Sequence, residues 1–306
     1  MAANFWKSSH YEQWLLVKHD LLRERSRDLK IFSEEDYQKL MIFFVNFIQT
    51  IGQNLSDKPQ AGNKAQSSIR MQVIATACVY FRRFYARQSF QDVDPFLLAP
   101  TSIWLASKVE ETGALLRHSD VNKLINATQN ALKKWPCLNQ DLVIRSEMLH
   151  EAEFCLLEIL DCCLIVYHPY RPLNQITQEM KASGLTRTDE IYQDAWRICN
   201  DSLRSDVPLL YAPHQISIAS IMAASVMNSR EADEQLKSWL SEMAVDFEKI
   251  TEIQQMIFDM YRIWRSFDES ASGIQLVELL TKIPRPQAHI SNSLQHKQPL
   301  SGVNIA

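Results

Sequence analysis

The sequence predicts an all-α fold arranged as two tandem helical domains of about 100 residues each. Three observations carry this. Apolar residues recur at helical spacing almost throughout. Glycine is scarce: six in 306 residues, about 2% against an average near 7%, which argues against an all-β chain with many tight turns. A segment also repeats. Residues 95–107, PFLLAPTSIWLAS, and residues 208–220, PLLYAPHQISIAS, agree at Pro95/Pro208, Leu97/Leu210, Ala99/Ala212, Pro100/Pro213, Ile103/Ile216, Ala106/Ala219 and Ser107/Ser220.

In the first half, Tyr37, Leu40, Met41, Phe44, Ile48 and Ile51 form one amphipathic stripe. Ser33 with Asp36 three residues on gives its helix a capping-box start. The polar run 56–68 reads as a flexible loop. A second helix spans about 69–87, with Val73, Ala77, Tyr80, Phe81 and Phe84 inward. A third ends at Lys108-Val109-Glu110-Glu111, a fourth spans about 119–134, and a fifth buries Leu149, Ala152, Leu156 and Leu160. The second half repeats the style near 187–203, 213–227, 231–240 and 246–264. Proline suits a first helical position, where its missing N–H is not needed. Pro100 and Pro213 therefore read as starts of matching helices. The polar, proline-bearing residues 284–306 read as a disordered tail.

Composition excludes several activities. The glycines lie at least ten residues apart. A phosphate-cradling loop needs clustered glycines, so a P-loop, a dinucleotide fingerprint and a kinase glycine-rich loop are ruled out, and so is a G-x-S-x-G elbow. A net charge of −4 and a pI near 6.1 give no global basic footprint for nucleic acid. The local basic stretches, Arg23, Arg25, Arg27 and Lys30, then Arg82, Arg83 and Arg87, read as solvated faces. Residues 207–229 carry no Asp, Glu or Lys and no Arg, but their prolines and polar groups read as a loop plus a buried helix rather than a membrane span. Six scattered cysteines without a C-x-x-C pair suggest free thiols in a reducing compartment. His150-Glu151 lacks the second histidine of H-E-x-x-H, and Cys162-Cys163 with His168 lacks zinc spacing. No metal, cofactor or catalytic residue is expected.

Two oddities remain. Acidic Glu110 and Glu111 sit at a helix end, where they oppose the dipole; either the helix stops short and they face water, or the charge serves a partner. Trp196 is the second. At 100° per residue, with Ile198 at zero, Trp196 falls near 160°, Asn200 near 200° and Arg204 near 240°, away from the Ile191/Ala195 side. A tryptophan beside Asn and Arg on an outer face suggests an interface anchor; burial against another segment of the chain is the alternative.

The string LASKVEE at 105–111 resembles the end of the third helix of a cyclin box, and YFRRFYAR at 80–87 is similar to that family's second helix. The strings NFW at 4–6, SSHY at 8–11, QVIATA at 72–77, DCCLIVYHPYRPL at 161–173, AWRI at 195–198 and Asn200-Asp201 resemble the transcriptional cyclins whose kinase belongs to the Mediator complex. The resemblance covers roughly residues 5–283. It implies two tandem five-helix cyclin boxes with an extra N-terminal helix: 1–32 an N-terminal segment, 33–165 the first box, 166–283 the second. It further implies a nuclear regulatory subunit, not an enzyme, that binds and activates a Mediator-associated cyclin-dependent kinase in RNA polymerase II transcription. Other kinase-module subunits would be partners; neither nucleic acid nor membrane is expected to be one.

Residue roles carry over from the same resemblance. Lys108 matches the lysine that pairs with a fifth-helix glutamate beside the kinase αC helix. Glu147, Glu151 and Glu153 compete for that glutamate, and Glu153 keeps the family register to Leu157, Leu160 and Leu164. Val109, Glu110 and Glu111 would also face the kinase. Trp6, Trp196, Asn200, Asp201 and Tyr261 match the surface for another Mediator subunit. Residues 40–57 hold no Arg or Lys and the chain has no R-x-x-L, which puts the substrate docking and destruction-box features of cell-cycle cyclins in doubt. The 56–68 loop is longer than the resemblance leads one to expect. The alternative is a cyclin-box protein that binds transcription factors or nucleic acid directly.

Overall fold

A computed structural model describes residues 4–55, 70–111, 121–138, 143–228, 230–243, 245–267 and 273–283, with helices and no strand among them. The predicted loop 56–68 and tail 284–306 lie outside the described residues. The N-terminal segment is more broken than the single expected helix: a 3-10 turn at Phe5–Lys7, α1 (Ser9–Trp14), α2 (Lys18–Glu24) and a 3-10 stretch at Arg25–Lys30. Five helices follow: α3 (Glu34–Leu55), α4 (Met71–Arg87), α5 (Pro95–Val109), α6 (Val121–Leu132) and α7 (Ser146–Ile159). The second set is α8 (Tyr170–Ala182), α9 (Thr188–Ser202), the short α10 (Val207–Leu210), α11 (Pro213–Asn228), α12 (Arg230–Ser241) and α13 (Phe247–Ser266), with α14 (Ile274–Thr281) after it. Each set gathers its own apolar cluster.

The first set is organised by α3. The Ser33 hydroxyl accepts the Asp36 N–H at 3.1 Å, and Glu34, Glu35 and Asp36 suit the positive end of the helix. The stripe read from sequence is too narrow. Ile42, Phe43, Val45 and Phe47 are buried as well, so α3 is covered all round, as a central helix must be. Phe43 and Phe47 pack on Phe96 and Trp135, while Ile42 belongs to the second cluster. The absence of charge after Leu40 thus reflects burial.

The repeated segments fold differently. In the first, Asp94 caps the Phe96 N–H at 2.9 Å and Pro95 starts the helix, so Pro100 lies inside α5 rather than at its start. A proline there forfeits one backbone hydrogen bond. In the second, Tyr211 ends α10 in an extended conformation, Ala212 before the proline lies outside any helix, and the helix restarts at Pro213 as expected. The residue before a proline resists the α region, and the two domains resolve that conflict differently. Beyond the break, α11 packs against α8, α9, α12 and α13, and among the described residues no helix is long and apolar enough to cross a membrane.

Two elements escape the sequence reading. Over 170–182 the apolar signal is thin, because α8 buries only Leu173, Thr177 and Met180. Helix α14 falls at the end of the expected second box, 166–283, yet its Leu276 and Leu279 join the first cluster. Gly273 makes the turn into α14 at φ +59°, and a Cβ there would collide with the Cys137 side chain.

The arginines depart most from expectation. Arg25, Arg82 and Arg83 are buried, not on solvated faces. Both oxygens of Asp206, at the entrance to α10, accept from Arg25 at 2.7 Å; one also accepts from Arg82 at 3.0 Å and the other from Gln38 at 2.8 Å. The Arg82 Nε donates to the Leu203 carbonyl at 2.6 Å. Burial alone would raise the Asp206 pKa, but the guanidiniums of Arg25 and Arg82 hold it well below the usual carboxylate range. Burial lowers Arg82 to about 10, so it stays charged at neutral pH. Arg83 and Arg87 flank the Trp14 ring at 4.9 and 4.1 Å and seat α1.

Removing one partner of a buried ion cluster strands the others without compensation. Asp206→Asn should therefore cost about 3–5 kcal/mol of unfolding free energy at pH 7, measured by urea denaturation. A loss below about 1 kcal/mol, within the range of an exposed pair, would reject this account.

Candidate functional site

Helices α5 and α7 pack side by side. Trp104 and Lys108, four apart, share one face of α5. The Lys108 ammonium donates to both Glu153 oxygens, at 2.7 and 2.8 Å, and the Trp104 indole N–H donates to Oε2 at 2.9 Å. Lys108 also lies 4.7 Å from the Trp104 ring centre, and His150 Nδ1 is 3.8 Å from Glu153. Glu153 is 8% exposed, whereas the neighbouring Phe154 is 73% exposed. Of the three glutamates in competition, Glu147 and Glu151 are exposed and Glu153 meets Lys108. An ammonium has three N–H donors; two serve Glu153, which leaves the third at a partly open surface.

The two acids have different surroundings. Helix α5 ends at Val109, which packs on the first cluster, so both lie beyond its last helical residue. Glu110 caps the helix and turns back onto α4: it accepts from Gln72 Nε2 at 2.6 Å and from the Thr76 hydroxyl at 2.7 Å. Glu111 is exposed at φ +50°.

The second set of predicted residues lies around another surface. Trp6 is in the 3-10 turn, not an α-helix, and Asn4 accepts its N–H at 3.1 Å. Its ring sits 5.0 Å from Tyr11 and 5.5 Å from His214, with Phe5 against Tyr167 at 5.3 Å. Phe5, Trp6, Tyr167, His214 and Tyr170 line a groove of about 530 Å³. Tyr170 also packs against Trp196, with ring centres 4.5 Å apart and tilted by 33°, and donates to Asn200 at 2.7 Å. Trp196 is half-buried there against its own chain, as the intrachain alternative expects. Asp201 accepts from Tyr261 at 2.8 Å and from Arg204 at 2.7 Å. Burial, then the Asp201 charge, raises the Tyr261 hydroxyl. Arg204 is not on the outer face, because α9 ends at Ser202 and helical phase no longer applies. It is buried, donates to Asn46 at 2.7 Å and Gln49 at 2.6 Å, and lies 4.1 Å from the Trp264 ring centre.

Sequence reasoning missed Trp104, Thr76, Gln72 and Tyr170. Helical spacing from Lys108 points to Trp104; the others meet their partners through long-range packing that no local pattern marks. Among the described residues no three His, Cys, Asp or Glu groups gather as for a metal, and all six cysteines are free.

Comparison with known proteins follows this geometry. A family model described as the cyclin N-terminal domain matches residues 64–165, and one described as the cyclin C-terminal domain matches residues 168–265. A protein of Drosophila melanogaster named Cyclin-C is 47% identical over 289 residues, 94% of this chain and 98% of that one. Cyclin-C of Rattus norvegicus is 45% identical, over 94% of this chain and 92% of that one. In a structure of the Chaetomium thermophilum CAK complex bound to ATP-gamma-S, one chain shares the fold with a TM-score of 0.68 at 19% identity, covering 91% of this chain and 87% of that chain.

One titration follows from the N-terminal seat. His10 is buried, and its Nδ1 accepts the Tyr167 N–H at 3.0 Å. Burial, then Arg83 and His168, lowers its pKa to about 3 from 6.5. The unfolded chain therefore takes this proton first as pH falls, so His10 contributes stability above pH 6.5 that is lost toward pH 3. Between pH 7 and 5 it should remove about 2 kcal/mol of unfolding free energy. Urea midpoints at both pH values check this: His10→Asn should show a smaller acid loss than wild type, and an equal loss rejects it.

Proposed function

The chain belongs to the cyclin family, in the branch of its Cyclin-C relatives, and on that premise we propose that it is the regulatory subunit of a cyclin-dependent kinase. The kinase is the Mediator-associated one, and the complex acts in the nucleus on RNA polymerase II transcription. Residues 33–165 and 166–283 serve as the two cyclin boxes, behind the N-terminal segment 1–32. The observation that carries this reading is the Lys108–Glu153 pair, braced by Trp104 and open on one side. Its carboxylate is already shielded and its ammonium already oriented, so contact with kinase backbone requires little reordering.

The mechanism is a shift of population. A kinase is active when its own Lys–Glu pair forms, which requires its αC helix inward. Lys108 and Glu153 hold backbone beside αC, while Val109 and Phe154 supply apolar contact. The subunit favours the inward state only by its differential affinity for the two states. Trp6, Trp196, Asn200, Asp201 and Tyr261 serve a second kinase-module subunit. Direct binding of nucleic acid is less well supported, since three of the arginines that suggested a basic face are buried.

The test is co-purification with the Mediator-type kinase, scored by a peptide kinase assay. Wild type should bind and activate. Glu153→Ala should weaken binding by about 2–5 kcal/mol, as for one member of a desolvated charge pair, and activity should fall with it. Unchanged affinity of Glu153→Ala rejects the contact pair. A wild-type chain that neither binds nor activates rejects the kinase reading.

A further inference from the structure

Glu110 sits at a helix C-terminus, where a negative charge is disfavoured, yet the structure holds it there by both oxygens. Thr76, with no exposed surface, donates its hydroxyl proton to Glu110 Oε1 at 2.7 Å. The same Oγ1 lies 2.7 Å from His168 Nε2. A hydroxyl has one proton, and a carboxylate only accepts. The Thr76 proton is therefore committed, and the bond to His168 forms only if the imidazole donates. This fixes the tautomer as Nε2–H and gives a directed chain, His168 to Thr76 to Glu110. Burial, with Arg83 nearby, lowers the His168 pKa to about 3, so the ring is neutral.

The chain joins two places that the fold otherwise keeps apart. His168 lies just before α8, at the entry to the second domain, and lines the aromatic groove. Glu110 closes the α5 turn that carries Lys108: its N–H bonds the Ala106 carbonyl at 2.9 Å, and the Glu111 N–H bonds the Lys108 carbonyl at 3.3 Å. Gln72 runs in parallel. It donates to Glu110 at 2.6 Å and lines both the groove and a smaller cavity of about 310 Å³ beside Val109, Glu110 and Glu111.

We propose that Thr76 is a positioning residue for the partner-facing end of α5, acting through Glu110 and backed by His168. In this division of labour Glu110 is an internal tether. By anchoring the cap it sets where Lys108 and Glu111 face, and those two are the groups presented outward. The proposal rests on the kinase reading above for its functional consequence.

A double-mutant cycle on kinase affinity tests it, together with the His168 tautomer from long-range ¹H–¹⁵N correlation. Loss of one hydrogen bond to a charged group predicts that Thr76→Val weakens kinase binding about tenfold. In a Glu110→Ala background the same change should add less than a twofold effect, because the group it acts through is gone. Thr76→Ser, which keeps the hydroxyl, should bind within twofold of wild type, and it carries the test should Thr76→Val fail to fold. Independent, multiplying effects of Thr76→Val and Glu110→Ala would overturn the proposal. So would a Thr76→Ser variant as weak as Thr76→Val, or an Nδ1–H tautomer at His168. A wild-type chain unable to bind the kinase would remove the kinase reading and the role given to Thr76, while an Nε2–H signal would still report the hydrogen bonds themselves.

Discussion

The buried carboxylate of Asp206 is the constraint on which the arrangement depends. It is 7% exposed and meets Arg25 from the N-terminal segment, Gln38 from α3 and Arg82 from α4, while it belongs itself to the entrance of α10 within the second domain. Three stretches of the first half of the chain are fixed by one side chain of the second. Two guanidiniums on one carboxylate leave a buried positive excess, which only good geometry and further acceptors such as the Leu203 carbonyl make tolerable. An apolar contact would allow the domains to slide; a bidentate ion pair does not.

The same cluster explains where sequence reading failed. Arg82 and Arg83 stand at helical spacing with Arg87, a pattern indistinguishable from a solvated face until the partners are known. The partners are 80 to 124 residues away. Burial of an arginine depends on a long-range acceptor, which no window of sequence contains. Apolar periodicity behaves oppositely. It is local, and it gave most helices of both domains to within a few residues, while α8, with three buried side chains, fell below its threshold. Where an apolar stripe was read, it was read as narrow, because amphipathic spacing cannot reveal that a second domain and α14 cover the remaining faces of α3.

The candidate site divides along the same line. Lys108 and Glu153 follow from the family resemblance, whose motif and register are local, and the structure brings them to hydrogen-bond distance. The tether on Glu110 was not found, since Thr76 and His168 are polar residues in apolar surroundings with nothing in their spacing to mark them. Arg204 was misplaced for a simpler reason: helical phase was extended past Ser202, where the helix stops. Trp196 is ambiguous in sequence and intermediate in space, packed against Tyr170 yet only half-buried.

Internal bonding decides what these residues can offer a partner. Asp201, Asn200 and Tyr261 already hydrogen-bond within the chain, but a carboxylate has about four lone-pair sites, and Asp201 uses one on each oxygen in those bonds. In the proposed complex such a residue would meet its partner with its rotamer already fixed, so association would lose little side-chain entropy. The same holds for Glu153 between Lys108 and Trp104. Exposed Glu111 and Phe154 lack any such support and lose more freedom when a partner orders them. In the proposed complex, braced polar pairs would set geometry, and exposed side chains beside them would add contact area once geometry is met.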